Sequence, residues 1–294
     1  MRFLITLCVS CLLSTICITE ASAQVARKKP AYSTGLPNDD FSKTQFYIGM
    51  RGGISFTKAH VINRYSSFVS TTDPDDNYDK TYSNYKKAGA FVGLEFDFYF
   101  KGFTASFQPN YRREVYSYSN SYEWKDENDA SNFLQLQYKQ DTRLDYIELP
   151  LFIKYDILQK NFRPFVQVGF YYGILNGATK HLVVDGTDNA SGTARTFNQQ
   201  DDIVGAKDLF IKSSIGMAFG AGVSYKVGNI RLILDATYRK GMNNISNVSN
   251  RYSANTLTGS GDVSDDIKLD NLAFSFGCLF PMKFLTSSEY KAVD

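Results

Sequence analysis

Ten ionisable side chains stand at alternate positions among apolar ones: Arg51, Arg112, Lys154, Arg231 and Arg239 against Glu95, Asp97, Glu114, Glu148 and Asp235. Five charges of each sign, all on the polar side of two-residue repeats, can build a paired, hydrogen-bonded network inside a narrow enclosure, and they cannot face hydrocarbon. A proton or solute pathway is the alternative use of the same groups. Interior packing is the simpler reading, because a small barrel leaves room for little beyond side chains.

Other reactive residues are sparse. A hydrolase or acyltransferase needs a nucleophile and a base in reach of each other. The chain has two histidines, His60 and His181, and neither sits at a recognisable Ser/His/Asp spacing. The run Asp73-x-Asp75-x-Asn77-x-Asp79 begins like a calcium loop. Tyr78 stands where the turn glycine belongs and Asn84 replaces the bidentate glutamate, so a solvated acidic loop is expected, with no resident metal. Cys278 lies on an apolar face and reads as a small packed hydrophobe. No catalytic, cofactor-binding or metal-binding residue is expected, and the chain is read as non-enzymatic.

The elements that position the ten charges are strands. Phe46, Ile48, Met50, Ile54 and Phe56 alternate with Tyr47, Gly49, Arg51, Gly53 and Ser55, a period of two that marks a half-buried strand. Seven more repeats follow, around 88–100, 103–118, 146–155, 166–174, 215–226, 230–239 and 272–280. Pro109 and Pro150 fall within two of them and predict bulges.

Connections alternate in length. Lys101-Gly102, Leu158–Asn161 and Gly228-Asn229 are tight turns, whereas segments near 58–86, 119–137, 176–208 and 242–266 are long and polar. This predicts an all-β fold, an eight-stranded antiparallel up-and-down transmembrane β-barrel with short periplasmic turns and long extracellular loops. A strand of about 12 residues tilted by about 45° rises about 28 Å, enough for the apolar band. Tyr99, Phe100, Phe103, Tyr225 and Phe280 at the turn end, and Tyr111, Tyr172 and Tyr238 at the loop end, are expected to form interfacial girdles.

Residues 1–23 read as a cleavable signal peptide ending at Ala21-Ser22-Ala23. Residues 24–44 read as a periplasmic N-terminal linker, 45–284 as the outer-membrane β-barrel and 285–294 as a periplasmic C-terminal tail. The mean hydropathy of −0.28 resembles that of a soluble protein. It follows equally from strands with one polar face and from long polar loops. The 23 Phe and 20 Tyr then belong on the lipid-facing surface and its rims. With 32 Lys and Arg against 30 Asp and Glu, no polybasic surface points to nucleic acid.

Gly52-Gly53-Ile54-Ser55-Phe56, Ser106-Phe107-Gln108-Pro109-Asn110-Tyr111, Tyr146-Ile147-Glu148-Leu149-Pro150-Leu151, Arg163-Pro164-Phe165 and Phe219-Gly220-Ala221-Gly222-Val223 resemble the PorT-type outer-membrane barrel domain of Bacteroidota. The resemblance runs from about residue 44 to 284 and implies an eight-stranded barrel in the cell outer membrane. Name-giving members of that family assist a protein-secretion and gliding machinery. The expected role is a structural or accessory subunit of a larger outer-membrane assembly, such as a secretion or biogenesis complex. Expected contacts are outer-membrane lipid, lipopolysaccharide and protein partners in the outer membrane or periplasm. A small outer-membrane enzyme and a narrow diffusion pore are the alternatives.

Overall fold

The computed structural model describes residues 44–66, 80–158, 160–190, 192–228, 230–251 and 263–282, with the side chain of Gln200 left out. The signal-peptide segment, the 24–43 part of the linker, the Asp73–Asp79 run and the tail at 285–294 lie outside the described residues. Within them the chain is an antiparallel β structure, with three-residue 3₁₀ turns at Lys207–Leu209 and Val248–Asn250.

Eleven strands form one sheet: β1 (Gln45–Asn63), β2 (Thr81–Tyr82), β3 (Ala88–Phe100), β4 (Phe103–Phe107), β5 (Asn110–Lys125), β6 (Phe133–Asp156), β7 (Phe162–Asp188), β8 (Arg195–Gly205), β9 (Ser213–Val227), β10 (Ile230–Gly241) and β11 (Asp266–Pro281). β4 and β5 are collinear halves of one strand, since both pair with β3 and with β6. The pairings run β1, β3, β4/β5, β6, β7, β9, β10, β11 and return to β1. Eight strands therefore close into a ring, with β2 and β8 as additions at the loop end.

Side-chain parity follows the sequence repeats. Met50, Ile54, Leu94, Phe98, Ile147, Leu151, Phe170, Leu234 and Phe276 are exposed on the outer surface, while their polar neighbours are buried. Bare of lipid, such a continuous apolar exterior would be a large unsatisfied patch. At the turn end it is aromatic: Phe46 lies 4.9 Å from Phe98 and Phe103 lies 4.8 Å from Tyr155, ring centre to ring centre. Seven of the eight expected girdle residues are on this outer face. Tyr99 is the correction, with no exposed surface at all. Its odd position on β3 shares the inward parity of Glu95 and Asp97, and parity overrides the general preference of aromatics for the membrane rim.

The turn between β3 and β4 is Lys101-Gly102, with φ of 46° and 89°. Two left-handed residues in a two-residue loop give the turn whose twist matches the flanking strands.

The expected bulges at Pro109 and Pro150 are absent. The β3 and β6 registers pass both prolines without a shift, and the irregularity in β6 lies between Asp145 and Tyr146, against β7. The two prolines sit where each gives up only one reciprocal bond. Pro109 still accepts from Leu94 N–H at 2.9 Å and Pro150 accepts from Gln108 N–H at 3.0 Å. The Gln108 carbonyl, which Pro150 cannot serve, accepts from Asn110 Nδ2 at 2.9 Å. A local side-chain donor thus replaces the missing ladder bond.

Two of the four expected loops are largely strand. β5 continues to Lys125, β6 starts at Phe133, β7 runs for 27 residues to Asp188 and β8 returns along it. These segments pair in register well past the apolar band, from Tyr111↔Ile147 to Lys125↔Phe133. Their outward positions, such as Gln135, Gln137 and Lys139, are polar, because β pairing above the membrane needs no lipid-facing apolar repeat. The result is a wall, β5 to β8, rising from one side of the ring.

Candidate functional site

All ten charged residues of the sequence reading are buried. Their strands alternate inward and outward, so each second residue is delivered to the lumen. They separate into tiers along the axis.

The lower tier centres on Glu95. Its carboxylate accepts from Lys154 Nζ, from Ser106 Oγ at 3.3 Å and from Gln108 Nε2 at 3.2 Å. Asp97 lies 3.6 Å from Lys154. Arg51 reaches Glu95 at 3.5 Å and Asp235 at 2.9 Å, and donates to Ser275 at 2.6 Å. Gln167 donates to Thr237 at 2.7 Å, completing the belt.

The upper tier centres on Glu148. Arg112 Nε donates to its Oε2 at 2.8 Å, while Arg239 donates to both oxygens, at 2.8 and 2.7 Å. Glu114 stands apart from these ion pairs and accepts from Asn271 Nδ2 at 2.8 Å. The Arg112 and Arg239 guanidiniums lie over Phe91 and Tyr171, 4.1 and 4.0 Å from the ring centres. Such stacking neutralises part of the cost of holding cations out of water.

Arg231, by contrast, pairs with no carboxylate among the described residues. It lies between aromatic rings, 4.7 Å from the centre of Tyr47 and 5.4 Å from that of Tyr99. Below it Arg163 approaches Asp156 at 3.6 Å. The sequence reading did not single out this last pair. Its signals were present: Asp156 continues the inward parity of Glu148 and Lys154, and Arg163 opens the Arg-Pro-Phe motif. With it the charges named in these tiers number six of each sign.

Among the described residues, the space the tiers leave between them is a void of about 20 Å³ bordered by Arg51, Arg112, Asn110, Asp235 and Arg239, room for about one water molecule. Above them the loop-end mouth is filled by an apolar cluster that includes Tyr116, Leu144, Tyr146, Leu209, Phe210, Ile245, Ile267 and Leu269. Leu209 and Phe210 arrive on the 3₁₀ turn after β8, which is pinned by Asn247 N–H to Leu209 O at 2.9 Å and by Asn250 Nδ2 to Asp208 O at 3.1 Å.

The mouth is also fastened by a polar clamp. Asp265 accepts from Lys80 Nζ at 3.1 Å, Tyr82 OH at 2.8 Å and Tyr65 N–H at 2.8 Å. Asp266 accepts from Arg251 at 2.6 Å, Asn244 at 2.9 Å and Asn63 at 3.0 Å. Burial, with Asp265 beside it, pushes the Tyr82 phenol well above its usual value. Burial acts to raise Asp266 too, but the bonds from Asn63, Arg251 and Asn244 hold its carboxyl below the ordinary range.

The two histidines stand outside the lumen network. His60 is exposed on β1, within a strand and not at the start of a loop, because β1 continues to Asn63 in pairing with β11. His181 is on β7 and pairs with Asp201 of β8. Cys278 is half-buried on β11 as a free thiol.

Three solved structures are similar to this chain. Neisserial surface protein A matches with a TM-score of 0.34 and 12% identity, over 81% of this chain and 99% of its own. OprG from Pseudomonas aeruginosa gives 0.35 and 13%, over 82% and 97%. The outer membrane protein AlkL gives 0.31 and 14%, over 92% and 100%. No curated protein matches the chain. A family model described as an outer membrane protein beta-barrel domain matches residues 23–247, and by this match, with the ring of strands and the apolar exterior, the chain belongs to the outer-membrane β-barrel domain family and resides in the outer membrane.

Proposed function

We propose that this barrel is a non-enzymatic structural or accessory subunit of a larger outer-membrane assembly, of the secretion or biogenesis kind, exported with a cleaved signal peptide. The observation that carries the reading is the lumen filled with buried ion pairs beside the tall wall of β5 to β8. A barrel whose interior is filled with ion pairs and whose mouth is packed with apolar side chains has its useful surfaces beyond the lumen. The wall offers such a surface beyond the mouth: Tyr122, Trp124, Leu134, Leu136 and Tyr138 continue the inward parity of Glu114 and Glu148 above the barrel and share one half-buried face, with Tyr122 opposite Leu136 and Trp124 opposite Leu134. Partly exposed aromatic and Leu side chains are common anchors in protein interfaces.

The positions of the histidines support the non-enzymatic reading, since among the described residues His60 is exposed with no side-chain partner and His181 is engaged with Asp201. The sealed tiers speak against a diffusion pore. The Gln-Pro-Asn and Glu-Leu-Pro motifs lie side by side, with Asn110 opposite Glu148, which supports kinship with the PorT-like barrels of Bacteroidota. Lipid contact follows from the apolar exterior.

The test is affinity purification from native membranes in mild detergent, with the wild type and a Trp124→Ser/Leu136→Ser variant. A partner recovered in fixed stoichiometry with the wild type and lost with the variant is expected. Recovery of the wild-type chain alone overturns the proposal.

A further inference from the structure

We infer that the outward face of the β5–β6–β7 wall carries a binding site for a phosphorylated saccharide. A cleft of about 390 Å³ opens there, floored by β5, β6 and β7 and bordered by the segment after β2. That segment is fixed by the Ser83 N–H bond to Ser117 O at 2.9 Å.

The groups facing the cleft are those a charged sugar needs. Ser117 and Ser119 of β5, Lys139 and Asp141 of β6 and His181 of β7 all have outward parity, and Ser83 and Lys87 close the side. Lys87 holds Asp141 at 2.8 Å, which leaves that carboxylate neutralised and oriented. Lys139 has no ion pair, and the three serine hydroxyls have no side-chain partner, among the described residues. One uncompensated ammonium stands beside three hydroxyls, a carboxylate held by Lys87 and an imidazole held by Asp201, a set rich in both donors and acceptors. A phosphate on Lys139, with sugar hydroxyls on Asp141 and the serines, satisfies that set.

Height points to the same chemistry. Tyr111 is the last outward aromatic of the apolar band on β5, and Ser117 lies six residues beyond it. At about 3.3 Å per residue and about 45° of tilt the cleft is about 14 Å above the band. Because it faces sideways over the lipid, it meets the head-group sugars of an outer-leaflet glycolipid as readily as a free saccharide of the same kind.

The test uses the full mature chain in lipid nanodiscs. Two probes separate the sources: the lipid-free phosphorylated core oligosaccharide of lipopolysaccharide, and intact lipopolysaccharide in phosphatidylcholine vesicles. Saturable binding to either is expected, weakened at least tenfold by Lys139→Ala or by enzymatic removal of the phosphates, and retained by Lys139→Arg. Lys240→Ala, on the outer surface of β10, leaves it unchanged. Lys139 is exposed, so its replacement does not threaten folding, and heat-dependent gel migration checks this. Binding to neither probe, or binding indifferent to both the phosphates and Lys139, overturns the inference.

Discussion

Arg239 grips the Glu148 carboxylate with both terminal nitrogens, Nη1 to Oε2 at 2.8 Å and Nη2 to Oε1 at 2.7 Å. This two-pronged bond joins β10 to β6 across the lumen, and Arg112 of β5 adds a third bond to the same carboxylate. Three strands of the ring are thereby fixed through one buried glutamate.

Glu148→Gln keeps the shape and removes the charge, leaving two guanidiniums out of water without their counter-ion. Breaking one side of a buried ion pair costs about 3–5 kcal/mol. The temperature at which the folded band disappears on an unheated-to-heated gel series is expected to fall markedly. A wild-type transition in the variant would show that the upper tier is energetically idle.

Arg113 and Asp145 make a bidentate pair at 2.7 and 3.2 Å on the outer face of the same strands. There the arginine is about half exposed, and water screens the charge, so Arg113→Ala should cost less than about 1 kcal/mol. Denaturant unfolding in detergent, with the two variants side by side, measures the contrast. Equal losses would contradict the assignment of one pair to the lumen and the other to the surface.

The clamp at the mouth predicts a dependence on acidity. Asp266 is held below its ordinary range when folded, so its stabilising effect is fully present above the unfolded value of about 3.9 and is lost as pH falls through the folded one. The difference in unfolding midpoint between wild type and Asp266→Asn should be constant from about pH 7 to pH 5 and shrink below about pH 4. A difference that grew on acidification would reverse the sign of the argument.

Close approach of chains explains one glycine. A Cβ on Gly216 would fall 2.3 Å from Tyr171 Oη and 2.3 Å from the Lys240 carbonyl oxygen. Gly216→Leu should therefore prevent closure of β7, β9 and β10 and abolish the folded, protease-resistant barrel. Normal yield of that form would refute the packing.

Much of the ring was legible because lipid imposes a strict rule: residues of one parity must be apolar, and Arg51, Glu95, Glu148 and Arg239 could only belong to the other. The same rule placed Asp235 and Lys154 inside without any knowledge of their partners. It could not reveal which partners those were, since cross-lumen contacts such as Arg51 to Asp235 depend on register and not on spacing. It holds for Tyr99 too, whose odd position on β3 turns it inward although aromatic residues favour the membrane rim. Above the membrane the rule lapses, and the wall from β5 to β8 looked like loop because its outward positions, such as Ser119, Gln137 and Asp185, are polar ones that lipid would not select. The cluster around Phe210 and Ile245 was equally hidden, being assembled from turns with no periodicity.

The central claim is that the lumen is closed, so that the protein works through its outer surfaces. Planar-bilayer recording of the purified wild-type barrel tests it most directly. A silent membrane at steady voltage, with insertion verified by protease protection, is the predicted result. A steady, voltage-independent conductance from the wild-type chain would contradict the account.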